Sequence, residues 1–298
     1  MALNKESGAK ISLVSSMVIF GTIGIFRTWI PLPSGTVALA RASIGLVFLL
    51  IFMAVKRHKP SFSSIKKHLP ALFVSGVLLG FNWILLFEGY EYTSVAAATL
   101  CYYMAPIFII LASPFVLKER LSVRKTLCVV AALVGMVLVS GVLQTGLSIS
   151  ELKGVLFALA AALMYAGIML TNKKTCDVPS YDRTAVQLAF AAVVMVPYVI
   201  IADKPASLTF DTKTVLLLLT VGIIHTGIAY VLYFGSMNGL KAQTIALLSY
   251  LDPVLAVILS AVLLRENVAV SVWVGAVLII GAAVVAESGA GKNKAKQQ

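Results

Sequence analysis

Apolar runs separated by short polar and basic stretches recur along the whole chain, and their length is that of a bilayer crossing. A hydrocarbon layer about 30 Å thick takes roughly 20 residues of helix. Ten segments meet that length: 11–30, 35–55, 70–88, 96–115, 122–142, 152–171, 181–201, 214–234, 242–263 and 268–287. None has the short alternating pattern of a transmembrane β-strand. The pattern predicts an all-α integral membrane protein of ten transmembrane helices.

The series of spans is written twice. A shift of 147 residues carries Phe87, Tyr103, Pro106 and Glu119 onto Phe234, Tyr250, Pro253 and Glu266. Each half holds five spans, an odd number, so the second half must enter the bilayer from the opposite face. The expectation is two inverted five-helix repeats with a ligand site between them near the midplane. The predicted division is 1–142 for the first repeat, 143–151 for a short linker, 152–287 for the inverted second repeat and 288–298 for a disordered cytoplasmic tail.

Composition agrees with this reading. Of the 298 residues, 60% are apolar and 12% charged, with a mean hydropathy of +0.98, too much apolar surface for one water-soluble core. The net charge of +12 would suggest nucleic acid in a soluble domain, but here the basic residues stand in short loops, where they encode orientation. With the N-terminus inside, eighteen Lys and Arg face the cytoplasm and only Lys153, Lys204, Lys213 and Arg265 face outward. Both termini are therefore expected in the cytoplasm, in a multi-pass protein of the cell (inner) membrane. Inversion is also written in the loop KERLSVRK at 118–125, whose twin RENVAVSV at 265–272 has lost three of four basic positions while keeping its acid. The run 11–30 is too long for the apolar part of a signal peptide and reads as the first span. Cys101, Cys128 and Cys176 form neither a disulfide framework nor a zinc pattern.

Candidate chemistry lies inside the spans. Pro106 and Pro253 sit mid-span, and each leaves the carbonyl four residues back, at Tyr102 and Ser249, without its helical donor. In lipid such carbonyls are tolerated against protein or a wet cavity, so spans 4 and 9 should face the centre, as kinks alone or as ligand contacts. Helical spacing places Thr99 and Tyr103 on the stripe of Pro106, and Tyr250 on that of Pro253. Spans 3 and 8 contribute Asn82, Trp83, Tyr230 and Tyr233, rings with polar tips suited to a partly apolar molecule; plain helix packing is the competing reading. Tyr90, Tyr92 and Tyr198 read as interfacial belt residues. Five ionisable residues lie within spans: Arg27, Arg41, Glu88, His225 and Asp252. His225 and Asp252 are both near mid-bilayer, where they could pair as a proton or charge relay. Arg27, Arg41 and Glu88 share the outer third and are expected to form an outer gate, with either arginine paired to Glu88 or Glu91; headgroup snorkelling is the alternative. The chain has no phosphate loop, HExxH or GxSxG, so no enzyme, cofactor or metal is expected.

Together the segments ARASIG at Arg41, YTSVAAATLCYYMAPIFIILASPFVLKERLS at 92–122 and LKAQTIALLSYLDPVLAVILSAVLLRENVAVS at 240–271 resemble the drug/metabolite transporter superfamily, EamA branch, as two tandem EamA domains. The resemblance implies a ten-helix basket whose cavity is lined by spans 3, 4, 8 and 9, and an activity of moving amino acids or other small metabolites, commonly outward. The chain lacks a basic cluster in its cavity helices, which argues against nucleotide sugars and multiply charged phosphates. Asp252 favours a substrate with a cationic group.

The expected function is a secondary active transporter of a small metabolite, an amino acid or amine, working by alternating access and in the export direction. Its substrate-binding residues would be Asn82, Trp83, Thr99, Tyr102, Tyr103, Tyr230, Tyr250 and Asp252. Expected partners are a small-molecule substrate, the lipid bilayer and a coupling proton, with no nucleic acid; monomer and homodimer both fit. The alternatives are an importer or uncoupled facilitator, an intramembrane enzyme using His225 and Asp252, and a non-transporting receptor or scaffold.

Overall fold

The structure is a computed structural model that describes residues 2–116, 123–139, 148–175, 177–203, 208, 210–237, 248–249, 251–266 and 268–294. Its helices are α1 (Ala2–Gly21), α2 (Ile23–Thr28), α3 (Ser34–Val55), α4 (Phe62–Lys67), α5 (Leu69–Tyr92), α6 (Val95–Tyr102), α7 (Ala105–Val116), α8 (Val123–Val139), α9 (Ile149–Lys174), α10 (Ser180–Tyr198), α11 (Thr212–Gly222), α12 (Ala229–Met237), α13 (Leu251–Leu263) and α14 (Val270–Lys294). A π-helical turn, Val199–Asp203, prolongs α10, and a second, Ile223–Ile228, joins α11 to α12. The described residues contain no strand.

Among the described residues six helical runs are long and apolar enough to cross a membrane: Glu6–Thr28, Ser34–Val55, Leu69–Tyr92, Ile149–Asn172, Ser180–Asp203 and Thr212–Ser236. Four shorter apolar helices, Val95–Ile109, Thr126–Gly135, Leu251–Leu263 and Val270–Ala282, coincide with the remaining predicted segments. α14 stays helical to Lys294, so residues 288–294, expected in a disordered tail, continue the last helix instead.

Polarity is arranged as a bilayer requires. Val47, Leu50, Ile51, Val74, Leu127, Val193, Leu216 and Val277 are exposed on the outside, while Arg27, Arg41, Asn82, Thr99, His225 and Thr226 are buried. A water-soluble bundle would invert both sets. The chain is a multi-pass helical membrane protein.

Two packed regions make up the interior. One joins α3, α5 and α10 through Leu49, Phe87, Leu188 and Met195. The other joins α6 and the start of α7 to α8 and α14 through Leu100, Ile107, Ala132 and Ile279, and Tyr90 of α5 touches both. The Gly76 and Gly80 pair lets α5 approach α10 closely: a Cβ on Gly76 would lie 2.6 Å from the Phe190 Cβ, and one on Gly80 3.0 Å from Met195.

Two helices that start inside the bundle are capped by carboxylates from far along the chain. Glu266 accepts from the Val95 and Ala96 N–H groups at 2.9 and 3.4 Å, while the Ser94 hydroxyl accepts from Ala97 N–H at 3.0 Å, so the first turn of α6 is satisfied. Asp203 does the same for α3, accepting from Thr36 N–H at 2.5 Å and the Thr36 hydroxyl at 2.8 Å. Glu119, the repeat twin of Glu266, lies outside the described residues. Glu266→Ala should lower stability by about 1–3 kcal/mol, the penalty for orphaned buried donors, and Glu266→Gln by less. Thermal unfolding of the detergent-solubilised protein measures both, and equal losses would show that the cap is not what Glu266 supplies.

Candidate functional site

Three interruptions of the helices, among the described residues, bear on the site. Between α1 and α2 the helix breaks at Thr22. Between α6 and α7 it breaks at Tyr103 and Met104, and the new helix opens with Ala105 and Pro106, where proline's missing N–H would be unpaired in any case. The third is the π-helical turn Ile223–Ile228, whose wider winding leaves side chains to reach carbonyls five residues back: the Thr226 hydroxyl donates to Val221 O at 3.2 Å, and His225 Nδ1 faces Thr220 O at 3.4 Å.

Arg41 projects from α3 into this region and is 6% exposed. Its Nε donates to the Thr226 hydroxyl oxygen at 2.9 Å, and its guanidinium lies 4.0 Å from the centre of the Trp83 ring, a cation–π contact from α5. Trp83 holds the plane of the fork and Thr226 holds one edge. Sequence reading places Arg41 at an outer gate; the structure instead turns it away from Glu88 and Glu91. It stands seven residues into α3, about 10 Å of helix rise from Ser34, and its nearest acceptor is the hydroxyl on the π-helical turn.

Asp252, in the first turn of α13, accepts from the Tyr103 hydroxyl at 2.6 Å. Tyr103 packs edge-on against Tyr102, which packs against Tyr165 of α9 and donates to Asn82 Oδ1 at 3.4 Å. Asn82 is fully buried and also donates to Ala161 O at 2.6 Å, so it ties α5 to α9 while orienting Tyr102. The Thr99 and Tyr90 hydroxyls are bonded at 3.2 Å. Tyr90 therefore points inward, against its expected place in an interfacial belt: it sits on the Phe87 face of α5, which packs on the Thr99 face of α6. Tyr230 completes the ring wall against Phe20 and Phe234. Tyr90, Tyr102, Tyr103, Tyr165, Tyr230 and Asp252 are only half-buried although they lie deep between helices, so they border a hollow.

His225 takes a different set of partners. Its Nε2 is 2.8 Å from the Thr22 hydroxyl, which itself donates to Ile19 O at 2.7 Å. The imidazole also packs on Phe26, with ring centres 4.8 Å apart. The expected His225–Asp252 pair is not formed. α1 and α2 pack against both the π-helical turn and α13, and Gly21 touches the Asp252 backbone, so the broken helix stands between the two. Tyr250, also expected at the pocket, lies outside the described residues, as does much of the stretch before α13, where Pro253 is buried in the first turn.

Charged groups close both ends of α3. At the Ser34 end, Arg27 is buried and donates to Glu91 at 2.7 Å, Ile30 O at 3.1 Å and the Ser34 hydroxyl at 3.1 Å. Glu88 and Glu91 line a cavity of about 400 Å³ there. At the opposite end, beyond Val55, the buried Asp182 carboxylate accepts from His58 Nε2 at 2.6 Å and from Ser61 N–H at 2.8 Å. Beside it Phe52, Lys56, His58 and Tyr181 line a cavity of about 260 Å³. Asp182 and Asp203 thus grip the two ends of α3 from the two ends of the α10 run. Sequence reasoning missed both carboxylates; their placement at the termini of one apolar span is the signal that was available.

Residues 8–141 and 152–287 match the family described as "EamA-like transporter family". The chain is 32% identical to "Uncharacterized transporter YxxF" of Bacillus subtilis (strain 168) over 87% of its own length and 82% of the relative's. It is 28% identical to "Uncharacterized transporter YoaV" of the same organism, covering 80% and 82%. It is 25% identical to "Protein PecM" of Dickeya dadantii (strain 3937), covering 72% and 73%. A solved structure titled "Crystal structure of protein" superposes with a TM-score of 0.66 at 23% identity over 94% of this chain and 96% of that one, a likeness of fold alone.

Proposed function

The chain belongs to the EamA-like transporter family, and on that premise we propose that it is a secondary active transporter moving an amino acid or amine across the cytoplasmic membrane by alternating access, in the export direction. The observation that carries this reading is a pair of opposite charges, buried Arg41 and half-buried Asp252, set among half-buried tyrosines inside a lipid-facing bundle. Charges in such surroundings are expensive and stand where a pathway needs them. The proposed frame is ten spans in two inverted repeats, with both termini cytoplasmic. In it the Ser34 end of α3 is the outer mouth and the His58 end the inner one.

Each mouth then carries a polar contact that opens in turn: the Arg27–Glu91 ion pair outside and the His58–Asp182 hydrogen bond inside. Asp252, with the Tyr103 hydroxyl on its carboxylate, receives the cationic group of the substrate or, in exchange, a proton. Counterflow of radiolabelled amino acids and amines in proteoliposomes, with and without a pH gradient, tests the reading. Vesicles impermeable to every one of them would overturn it.

The gate assignment makes a separate prediction. Glu91→Gln removes the anion that holds Arg27, so a cysteine introduced at Thr28 should react with an impermeant external maleimide several-fold faster than in the parent. Unchanged labelling would show that Arg27–Glu91 does not close the mouth.

A further inference from the structure

Arg41 is a buried cation that touches no anion among the described residues. No carboxylate lies within 4.0 Å of its guanidinium among the described residues, and Asp252 has a carboxylate oxygen bonded to Tyr103. Arg27 differs in this respect, because Glu91 neutralises it. An isolated charge in a lipid-embedded interior is costly unless a partner arrives.

The fork itself shows where that partner would bind. Nε is occupied by Thr226 and one face by Trp83. Nη1 and Nη2 donate no hydrogen bond to the described residues, yet they are not sealed: Arg27 Nε is the sole fully buried side-chain nitrogen or oxygen without a partner among those residues. The two terminal nitrogens therefore keep open surface in the bundle interior that half-buried Tyr102 and Tyr230 also border. Two parallel N–H groups held in a fixed plane match a carboxylate better than any neutral acceptor.

The geometry points to Arg41 as the anchor of a substrate carboxylate, gripped by Nη1 and Nη2, with Asp252 receiving the ammonium group across the same hollow and the tyrosines enclosing an apolar or aromatic side chain. The cargo is then a zwitterionic α-amino acid and not a simple amine. This rests on the transport reading above and narrows it. An amine would satisfy Asp252 and leave Arg41 bare; a carboxylic acid without an amine would do the reverse.

The test is a thermal-shift titration of the detergent-solubilised full-length protein with the twenty proteinogenic L-amino acids. The best binder is then compared with its carboxamide, its decarboxylated amine and its deaminated acid. The expected result is stabilisation by the amino acid, with the carboxamide and amine weaker by roughly 10- to 150-fold in Kd, the range for a hydrogen-bonded charge. Arg41→Gln should bind acid and carboxamide alike, and Arg41→Lys should fall between, having charge without the fork. The ligand series on the parent protein decides the matter even where a variant fails to fold.

An amine or carboxamide that binds as tightly as its amino acid overturns the anchor, and so does the absence of any shift with all twenty. Counterflow of other metabolites separates this failure from that of the transport reading. Transport of an amine alone sinks the anchor and keeps the transporter, whereas impermeable vesicles sink both.

Discussion

Asp252→Asn should reduce counterflow by roughly 10- to 150-fold, the loss expected when a hydrogen-bonded charge is replaced by a neutral group, while leaving the fold intact. Asparagine has the shape of aspartate and still accepts from the Tyr103 hydroxyl, which now meets the carboxylate at 2.6 Å. What disappears is the negative charge facing Arg41 and the site for a cation or proton. Tyr103→Phe keeps that charge and removes only its orienting donor, so it should cost less. Initial rates in proteoliposomes, normalised to the amount of monodisperse protein, read both. A fall of less than threefold for Asp252→Asn would remove the carboxylate from the transport pathway.

The second large effect belongs to a glycine with no chemistry of its own. A Cβ on Gly45 would fall 2.4 Å from Thr226 Cγ2 and 2.8 Å from Thr226 Cβ, far inside contact distance. The obstacle is a β-branched side chain on the π-helical turn, which cannot swing away as a long flexible chain would. Gly45→Leu must therefore push α3 from the turn, costing about 1–3 kcal/mol by overpacking, and must pull the Arg41 Nε from the Thr226 hydroxyl, so transport should fall with stability. Gly281→Ala is the contrast. Nothing lies within 4 Å of the added methyl on α14, so the helix should gain about 0.5–1 kcal/mol from reduced backbone entropy loss. Unfolding temperatures moving in the same direction for the two variants would contradict this packing.

How much of the site could be read from the residues depends on how far away each partner lies. The break before Pro106 was legible because a proline lacks an N–H wherever it stands, and α7 does open there. Asn82, Trp83, Thr99, Tyr102, Tyr103 and Asp252 were singled out by polar or aromatic character within apolar spans, and the structure links Asn82 to Tyr102, Tyr102 to Tyr103 and Tyr103 to Asp252, with Thr99 bonded to Tyr90 and Trp83 against Arg41. Arg41 was legible as a residue and misread as a gate, because depth along a span ranks distance from the surface but does not select a partner. Thr226, which holds it, is 185 residues away. His225 and Asp252 shared a depth and so looked like a pair, but equal depth places two groups on one plane without removing the helix between them. Asp182 and Asp203 were passed over, since their partners at His58 and Thr36 come together only when α10 packs along α3.

Residence in lipid, the helical character of every span and the duplication of the chain follow from local composition and repeat alone. Backbone hydrogen bonds must close within a segment when no water is present, and apolar length measures the layer to be crossed. Partnership is another matter. Whether Arg41 meets Glu88 or Thr226, and whether His225 meets Asp252 or Thr22, depends on helix rotation and on small residues such as Gly21 and Gly45 that set how closely backbones approach. Those are properties of packed pairs, which no single stretch of residues contains.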